Sequence, residues 1–187
     1  DILALTPGVN ITETYFGYSA VNFRGSLQTH YNNKSLLLLN NHPLSETAHG
    51  SYYLEQIPLD MIKRIEIIRG PGSTLYGSNA YTGVIKIITK EGKDMDGGTV
   101  GFLAGSFGTV GGSLTYGKSF GDWQIAFGAN VIDSGVFEYN VDRDEDGQSG
   151  SIDYESDFYN GLLSVSYKNL KVNFAMFRLH KDKLGLV

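Results

Sequence analysis

The sequence predicts a small α+β domain followed by antiparallel transmembrane β-strands. Three observations predict it. The chain holds 24 glycines among 187 residues and 12% aromatics against 19% charged residues, a balance that suits strands and tight turns better than helices. From Gly97 onward the hydrophobic pattern has a strict period of two, the period of a strand with two different faces. The connections between these alternating runs are by turns short and long, as in outer-membrane barrels.

The first part, residues 1–92, is irregular. Short apolar runs at 36–39 and 65–68 are broken by Gly, Asn and Pro. A helical stretch is expected at 51–57, with Pro58 and Asp60 opening a further short turn. Two isoleucine-rich strands are expected at 63–69 and 84–89. Ile65, Ile67, Ile85 and Ile87 would build the core across neighbouring strands.

The second part, residues 93–187, alternates. Trp123, Ile125, Phe127, Ala129 and Val131 interleave with Gln124, Gly128 and Asn130. Val110, Gly112, Leu114 and Tyr116 interleave with Gly111, Ser113, Thr115 and Gly117. Tyr159 to Tyr167 and Leu170 to Met176 repeat the theme. Each run is about ten residues long with aromatics near its ends, which fits tilted strands that are apolar towards lipid and small or polar towards a lumen. Five such strands are expected after Gly97. Gly121-Asp122 and Lys168-Asn169 read as tight periplasmic turns, and residues 138–157 as a long acidic external loop. Five strands cannot close a barrel, so the sheet is expected to continue past Val187. The competing reading is a soluble sandwich, whose strands also alternate.

Composition removes several function classes. Without cysteine there is neither a disulfide nor a thiolate metal site. A net charge of −5 argues against nucleic-acid binding. No apolar run is long enough for a membrane-spanning helix. No leader pattern opens the chain, and residues 1–5 read as the middle of a folded segment, so a trimmed or partial chain is expected. No nucleophile–base pair is visible, and an enzyme is not expected.

The acidic loop has its own chemistry. DRDEDGQSGSID, residues 142–153, follows the calcium-loop template D-x-D-x-D-G with an acid at position twelve. Asp142, Asp144, Asp146, Gln148 and Asp153 are the candidate Ca²⁺ ligands, and Gly147 supplies the sharp turn. Asp153 stands where the template has Glu and reaches less far. Ser149 replaces the usual apolar residue, which disfavours a helical EF-hand. Residues 133–157 hold nine acids and a single base, Arg143, so the loop repels itself unless cations or water screen it. A solvated loop that keeps the surface soluble is the alternative.

The segment IKRIEIIRGPGSTLYGSNAYTGVIKIITK, residues 62–90, closely resembles the end of the plug domain of TonB-dependent receptors. That family pattern runs I-E-x-I-x-R-G-P, a small-residue turn, L-Y-G, then G-x-I-x-I-x-T-K. Here it carries Glu66, Gly70, Pro71, Leu75, Tyr76, Gly77 and Gly83. TPGVNI (6–11) looks like the early plug strand. VNFRG (21–25) looks like the arginine–glycine strand and contributes Gly25. LLLLNNHPL (36–44) looks like the strand that usually ends in Asp-Gly, with Asn40-Asn41 in its place. Asn is the best non-glycine residue at positive φ. Gly70, Gly72 and Gly77 suit a tight turn stiffened by Pro71, with Leu75 and Tyr76 as its apolar anchor. The glycine cluster lacks the Gly-Lys-Ser/Thr ending of a phosphate loop.

The resemblance implies a plug (residues 1–92) inside a barrel of about 22 strands, of which residues 93–187 supply the first five or so. It implies active uptake of a metal chelate (ferric siderophore, cobalamin or haem) across the outer membrane of a Gram-negative bacterium. It implies a TonB complex that pulls on a box upstream of Asp1. It matches Arg24 and Arg69 to family arginines that pair with wall glutamates, a geometry that suits the bidentate guanidinium. Glu66 lies on the opposite strand face from Arg69, with Arg64 or Lys86 as its partner. Ligand contacts are expected from plug loops at Tyr15, Phe16, Tyr18, Gln28, His30, His49, Tyr52 and Tyr53, against the alternative that each simply packs. Some cobalamin receptors of this family bind calcium in the external region to which the acidic loop corresponds. A passive pore without energy coupling is the alternative function.

Overall fold

The computed structural model describes residues 2–14, 18–141, 143 and 149–181. It forms two compact units. One joins residues 1–54 to 62–89; the other joins 55–61 to 90–187.

In the first unit, β1 (Val9–Glu13) and β2 (Ser19–Phe23) form an antiparallel pair. A four-stranded sheet has the order β4-β3-β6-β5, from β3 (Ser35–Leu39), β4 (His42–Pro43), β5 (Ile62–Arg69) and β6 (Gly83–Thr89). β3 and β6 run parallel, and β5 pairs antiparallel with β6. A central parallel strand is covered on both faces and reads as continuous apolar sequence. That is why SLLLL is buried at every position. Leu36, Leu38, Ala80 and Val84 pack together as one buried cluster. Leu37 and Ile85, both at 0% exposure, are paired in register. Of the four isoleucines expected in the core, Ile85 and Ile87 are buried, whereas Ile65 and Ile67 on edge strand β5 are half-covered.

Asn40 and Asn41 both have positive φ, 50° and 74°, as a two-residue hairpin turn requires. Asn40 does more than turn. Its Nδ2 donates to Thr89 Oγ1 at 2.8 Å, and Thr89 N–H donates to its Oδ1 at 3.0 Å. The side-chain amide thus carries the β3–β6 ladder past its last backbone pair.

The helix expected at 51–57 does not form. Single 3₁₀ turns stand at Leu54–Gln56 and Leu59–Met61. Pro58 lacks an N–H and disfavours helical geometry at Ile57. Tyr52 is also drawn inward, 1% exposed, with its hydroxyl 2.6 Å from Ser35 Oγ.

In the second unit, β7 (Gly97–Ala104), β8 (Val110–Phe120), β9 (Trp123–Val141), β10 (Gly150–Tyr167) and β11 (Leu170–Lys181) form one antiparallel meander. The five expected strands are present, with the tight turns at Gly121-Asp122 and Lys168-Asn169. Two expectations need correction. β9 and β10 are 19 and 18 residues long rather than about ten. Residues 138–157 are not a loop throughout: Gly150 pairs with Val141, Asp153 with Glu138 and Asp157 with Asp133, with a bulge between Tyr154 and Ser156. The acids signalled a loop by composition, but they alternate with strand-forming Val136, Phe137, Tyr139, Ile152 and Tyr154. Outside the hydrocarbon a polar strand pair is solvated and can extend.

The two faces of the sheet differ. Val100, Phe102, Leu114, Trp123, Val131, Tyr159, Leu163, Phe174 and Met176 are exposed on one. Thr115, Ala126, Asn160, Leu162 and Ser164 are buried on the other, where residues 55–61 and 90–95 lie. There Asn160 Nδ2 donates to the Glu55 carbonyl at 2.7 Å, and Lys90 N–H to the Met61 carbonyl at 2.7 Å. A Cβ at Gly128 would collide with Met61, and one at Gly117 would lie 2.7 Å from Met95. Glycines on the inner face are therefore slots that let these segments lie against the strands.

Replacing Leu37 by Ala should destabilise the first unit by about 2–5 kcal/mol. The denaturant midpoint of the intact protein, followed by a probe in residues 1–89, checks this; an unchanged midpoint would contradict the central position of β3.

Candidate functional site

The loops at the end of the first sheet where β3 and β6 begin are knitted by amides. Gln28 is 2% exposed. Its N–H donates to Asn22 Oδ1 at 2.8 Å, its Nε2 to the Val21 carbonyl at 2.8 Å, and its Oε1 accepts from Lys34 N–H at 2.7 Å. Asn32, also buried, gives Nδ2 to the Ser19 carbonyl at 3.1 Å. Asn33 and Asn79 donate to the carbonyls of His49 and Gly50, each at 3.0 Å. Buried and half-buried amides that cross-link the loops this way hold an irregular surface rigid.

Gln28 and Tyr52, both expected at the ligand surface, lie inside this scaffold. Burial pushes the Tyr52 phenol far up, so it remains a neutral hydrogen-bonding group. Above the scaffold sit aromatic pairs. Tyr18 and Tyr53 meet edge to face at 4.6 Å. Burial, then the neighbouring Tyr18 and Glu46, raise the Tyr53 phenol above its ordinary value. Tyr31 and His49 stack at 4.4 Å with 8° between their planes. His49 Nδ1 lies 3.1 Å from Glu46 Oε1, and His30 Nδ1 lies 3.0 Å from Thr29 Oγ1. Tyr81 is 62% exposed on a neighbouring loop. Tyr31, Glu46 and Tyr81 were not foreseen. Tyr31 stands beside His30 in a polar loop, and that pairing was the available signal. Tyr15 and Phe16 lie outside the described residues.

The glycine turn behaves as its sequence requires at two positions. Gly70 and Gly77 have φ of 127° and 81°, which side-chain-bearing residues rarely adopt. Between them α1 (Ser73–Tyr76) is a single turn. Leu75 is 84% exposed, so within this chain it does not anchor the turn; a one-turn helix ringed by glycines presents no core for it. Gly83 is fixed by crowding, because a Cβ would meet Phe23 at 2.8 Å.

Arg24 is exposed in the turn after β2, with φ 49° beside Gly25 at 79°. Arg69 donates to the Pro7 carbonyl at 2.7 Å. Glu66 takes both candidate partners, Arg64 at 2.7 Å and Lys86 at 3.5 Å. Lys86 lies directly opposite it in register.

In the second unit Glu91 accepts from Lys93 at 2.8 Å and from Lys171 on β11 at 3.0 Å. Its carboxylate also belongs to a reciprocal cap with Asp94. The candidate calcium ligands Asp142, Asp144, Asp146 and Gln148 lie outside the described residues, and Asp153 is described only by its place on β10.

Residues 1–84 match the family model of the TonB-dependent Receptor Plug Domain. The first 84 residues are a plug domain of the TonB-dependent receptor type. It is 36% identical over 108 residues to the Vitamin B12 transporter BtuB of Vibrio vulnificus, which is 57% of this chain and 17% of that protein. It is 32% identical over 156 residues to the Vitamin B12 transporter BtuB of Photobacterium profundum, 81% of this chain and 25% of that protein. The chain thus spans a quarter or less of these curated relatives. Among solved structures, Copper transporter OprC superposes with a TM-score of 0.67 at 17% identity, over 96% of this chain and 28% of that one. The Ferric-Catecholate import receptor Fiu from E. coli K12 gives 0.65 at 19%, over 96% and 24%. At these identities the superpositions establish the fold: a plug followed by antiparallel barrel strands. The receptor is a Gram-negative outer-membrane protein, and its family consists of receptors and transporters.

Hydrogen bonds from Lys93, then Lys171, hold the Glu91 carboxyl below its ordinary value. A depressed carboxylate contributes stability that is full above the ordinary value and is lost as pH falls through the depressed one. Unfolding midpoints of the intact receptor and its Glu91→Gln variant should differ at pH 7 and converge in acid, once the pH has fallen through the depressed value. A gap that persisted in acid would mean that the effect is not that of the charge.

Proposed function

We propose that this receptor carries out TonB-dependent active uptake of a metal chelate, with a corrinoid as the first cargo to test. The carrying observation is the union in one chain of the plug sheet and an outward-apolar strand meander. The plug's rigid loop surface bears Tyr18–Tyr53 and Tyr31–His49. Paired rings on an amide-locked scaffold suit a broad, partly planar ligand, since little ordering entropy is lost on contact. The two curated relatives described above are named vitamin B12 transporters, which ranks cobalamin ahead of ferric siderophores and haem. The acidic segment 142–153 would bind Ca²⁺ through Asp142, Asp144 and Asp146 and so order an external loop.

Cells that depend on this receptor should take up labelled cobalamin only when TonB is present, with loss of at least about tenfold in its absence. Equal uptake without TonB would favour a passive pore. Uptake of a ferric siderophore but not of cobalamin would keep the mechanism and change the cargo.

For the cation, calorimetry of the intact receptor should show a Ca²⁺ signal that Asp144→Ala with Asp146→Ala removes. Retention of the signal in that variant would sink the calcium claim.

A further inference from the structure

The outward face of the meander should be uncharged where it meets hydrocarbon. Along β8 the outward positions run Val110, Gly112, Leu114, Tyr116, Lys118 and Phe120. Along β9 they run from Trp123 to Val131 before Asp133, and along β10 from Tyr167 back to Tyr159 before Asp157. Among the described outward positions of β8 to β10 within this band, Lys118 is the only charge; on β11 the outward Arg178 stands level with Tyr159, at the opposite edge. A lysine on the lipid face is tolerated only near the edge, where its stem reaches back to the headgroups.

The edge in question is the end with two-residue turns. Phe120 pairs in register with Trp123, and Trp123 with Tyr167. Trp123 and Tyr167 lie 4.7 Å apart. Lys118 Nζ is 5.8 Å from the Phe120 ring centre, and Lys168 Nζ is 5.3 Å from that of Tyr167. Two ammonium groups are thus held over aromatic rings at the short-turn end, Lys118 one outward position inside the Trp123–Tyr167 pair and Lys168 in the turn beyond it. The fixed anion nearby is Asp122, a loose 3.8 Å from Lys168, with both side chains about 60% exposed. Short turns face the periplasm, so this end meets the inner leaflet of the outer membrane.

We propose that Lys118 and Lys168 form a binding site for the phosphate of an anionic glycerophospholipid of the inner leaflet. The acyl chains would lie along the apolar residues of β8 to β10, and Phe120, Trp123 and Tyr167 would flank the glycerol region. Charge complementarity selects the headgroup: each basic side chain at a membrane surface favours anionic lipid. The aromatic rings already engage both ammonium groups, so less rotamer freedom is lost when the phosphate binds. The site rests on the lipid face alone and is independent of cargo and energy coupling.

Native mass spectrometry of the intact receptor, titrated with phosphatidylglycerol or phosphatidylcholine, tests it. The wild type should retain phosphatidylglycerol preferentially. Lys118→Gln with Lys168→Gln should weaken that retention roughly tenfold and leave phosphatidylcholine unchanged. The Lys→Arg pair should restore it, which separates lost charge from misfolding. Asp122→Asn should tighten it. Equal retention by the Gln pair, or an equal loss of both lipids, would overturn the proposal.

Discussion

Backbone hydrogen bonding in hydrocarbon constrains everything after residue 97. An amide left unpaired in lipid costs several kcal/mol, so each strand has to be matched along its length by a neighbour. Across the apolar band the meander meets that demand with unbroken register from β7 to β11; the bulge at Tyr154/Ser156 lies beyond Asp157, outside that band. Once the register is fixed, side-chain parity follows, because successive residues point to opposite faces. The outward band, the aromatic wall at the short-turn end and the glycine slots on the inner face are all consequences of that one requirement.

The first unit obeys a different constraint. It is wrapped around a parallel pair, β3 and β6, which are far apart in sequence and lack a hairpin to join them. Apolar cover on both faces and the Asn40–Thr89 clasp hold them together. The loops at the opposite end are not strands, and Gln28, Asn32, Asn33 and Asn79 cross-link their backbone. That rigid amide network lets a small sheet display tyrosines and histidines in fixed pairs, which is the geometry a recognition surface needs.

The two inner-face segments show how one chain serves both units. Residues 55–61 and 90–95 flank β5 and β6 in sequence yet pack with the meander. Met61 and Met95 sit where Gly128 and Gly117 leave room. Methionine suits such places because its unbranched thioether adapts to shallow recesses. Glu91 then ties the linker to β11 through Lys171, a charged contact whose strength depends on pH.

By itself the sequence determined the strand count, the tight turns, the positive-φ asparagine turn and the plug motif, since each depends on local periodicity or backbone geometry. Composition misled at 138–157, where acids suggested a loop and alternation made strands. Local propensity misled at 51–57, where Tyr52 and Pro58 overrode a helix. Only the tertiary structure decided which loop side chains are buried and which remain at the surface. Gln28 and Tyr52 looked like loop contacts and are buried in the scaffold, whereas Tyr31 is exposed and stacks on His49 from 18 residues away in the chain. The reason is physical. A period of two or a glycine at positive φ is written in neighbouring residues. The burial of a loop side chain depends on which distant amides fold over it.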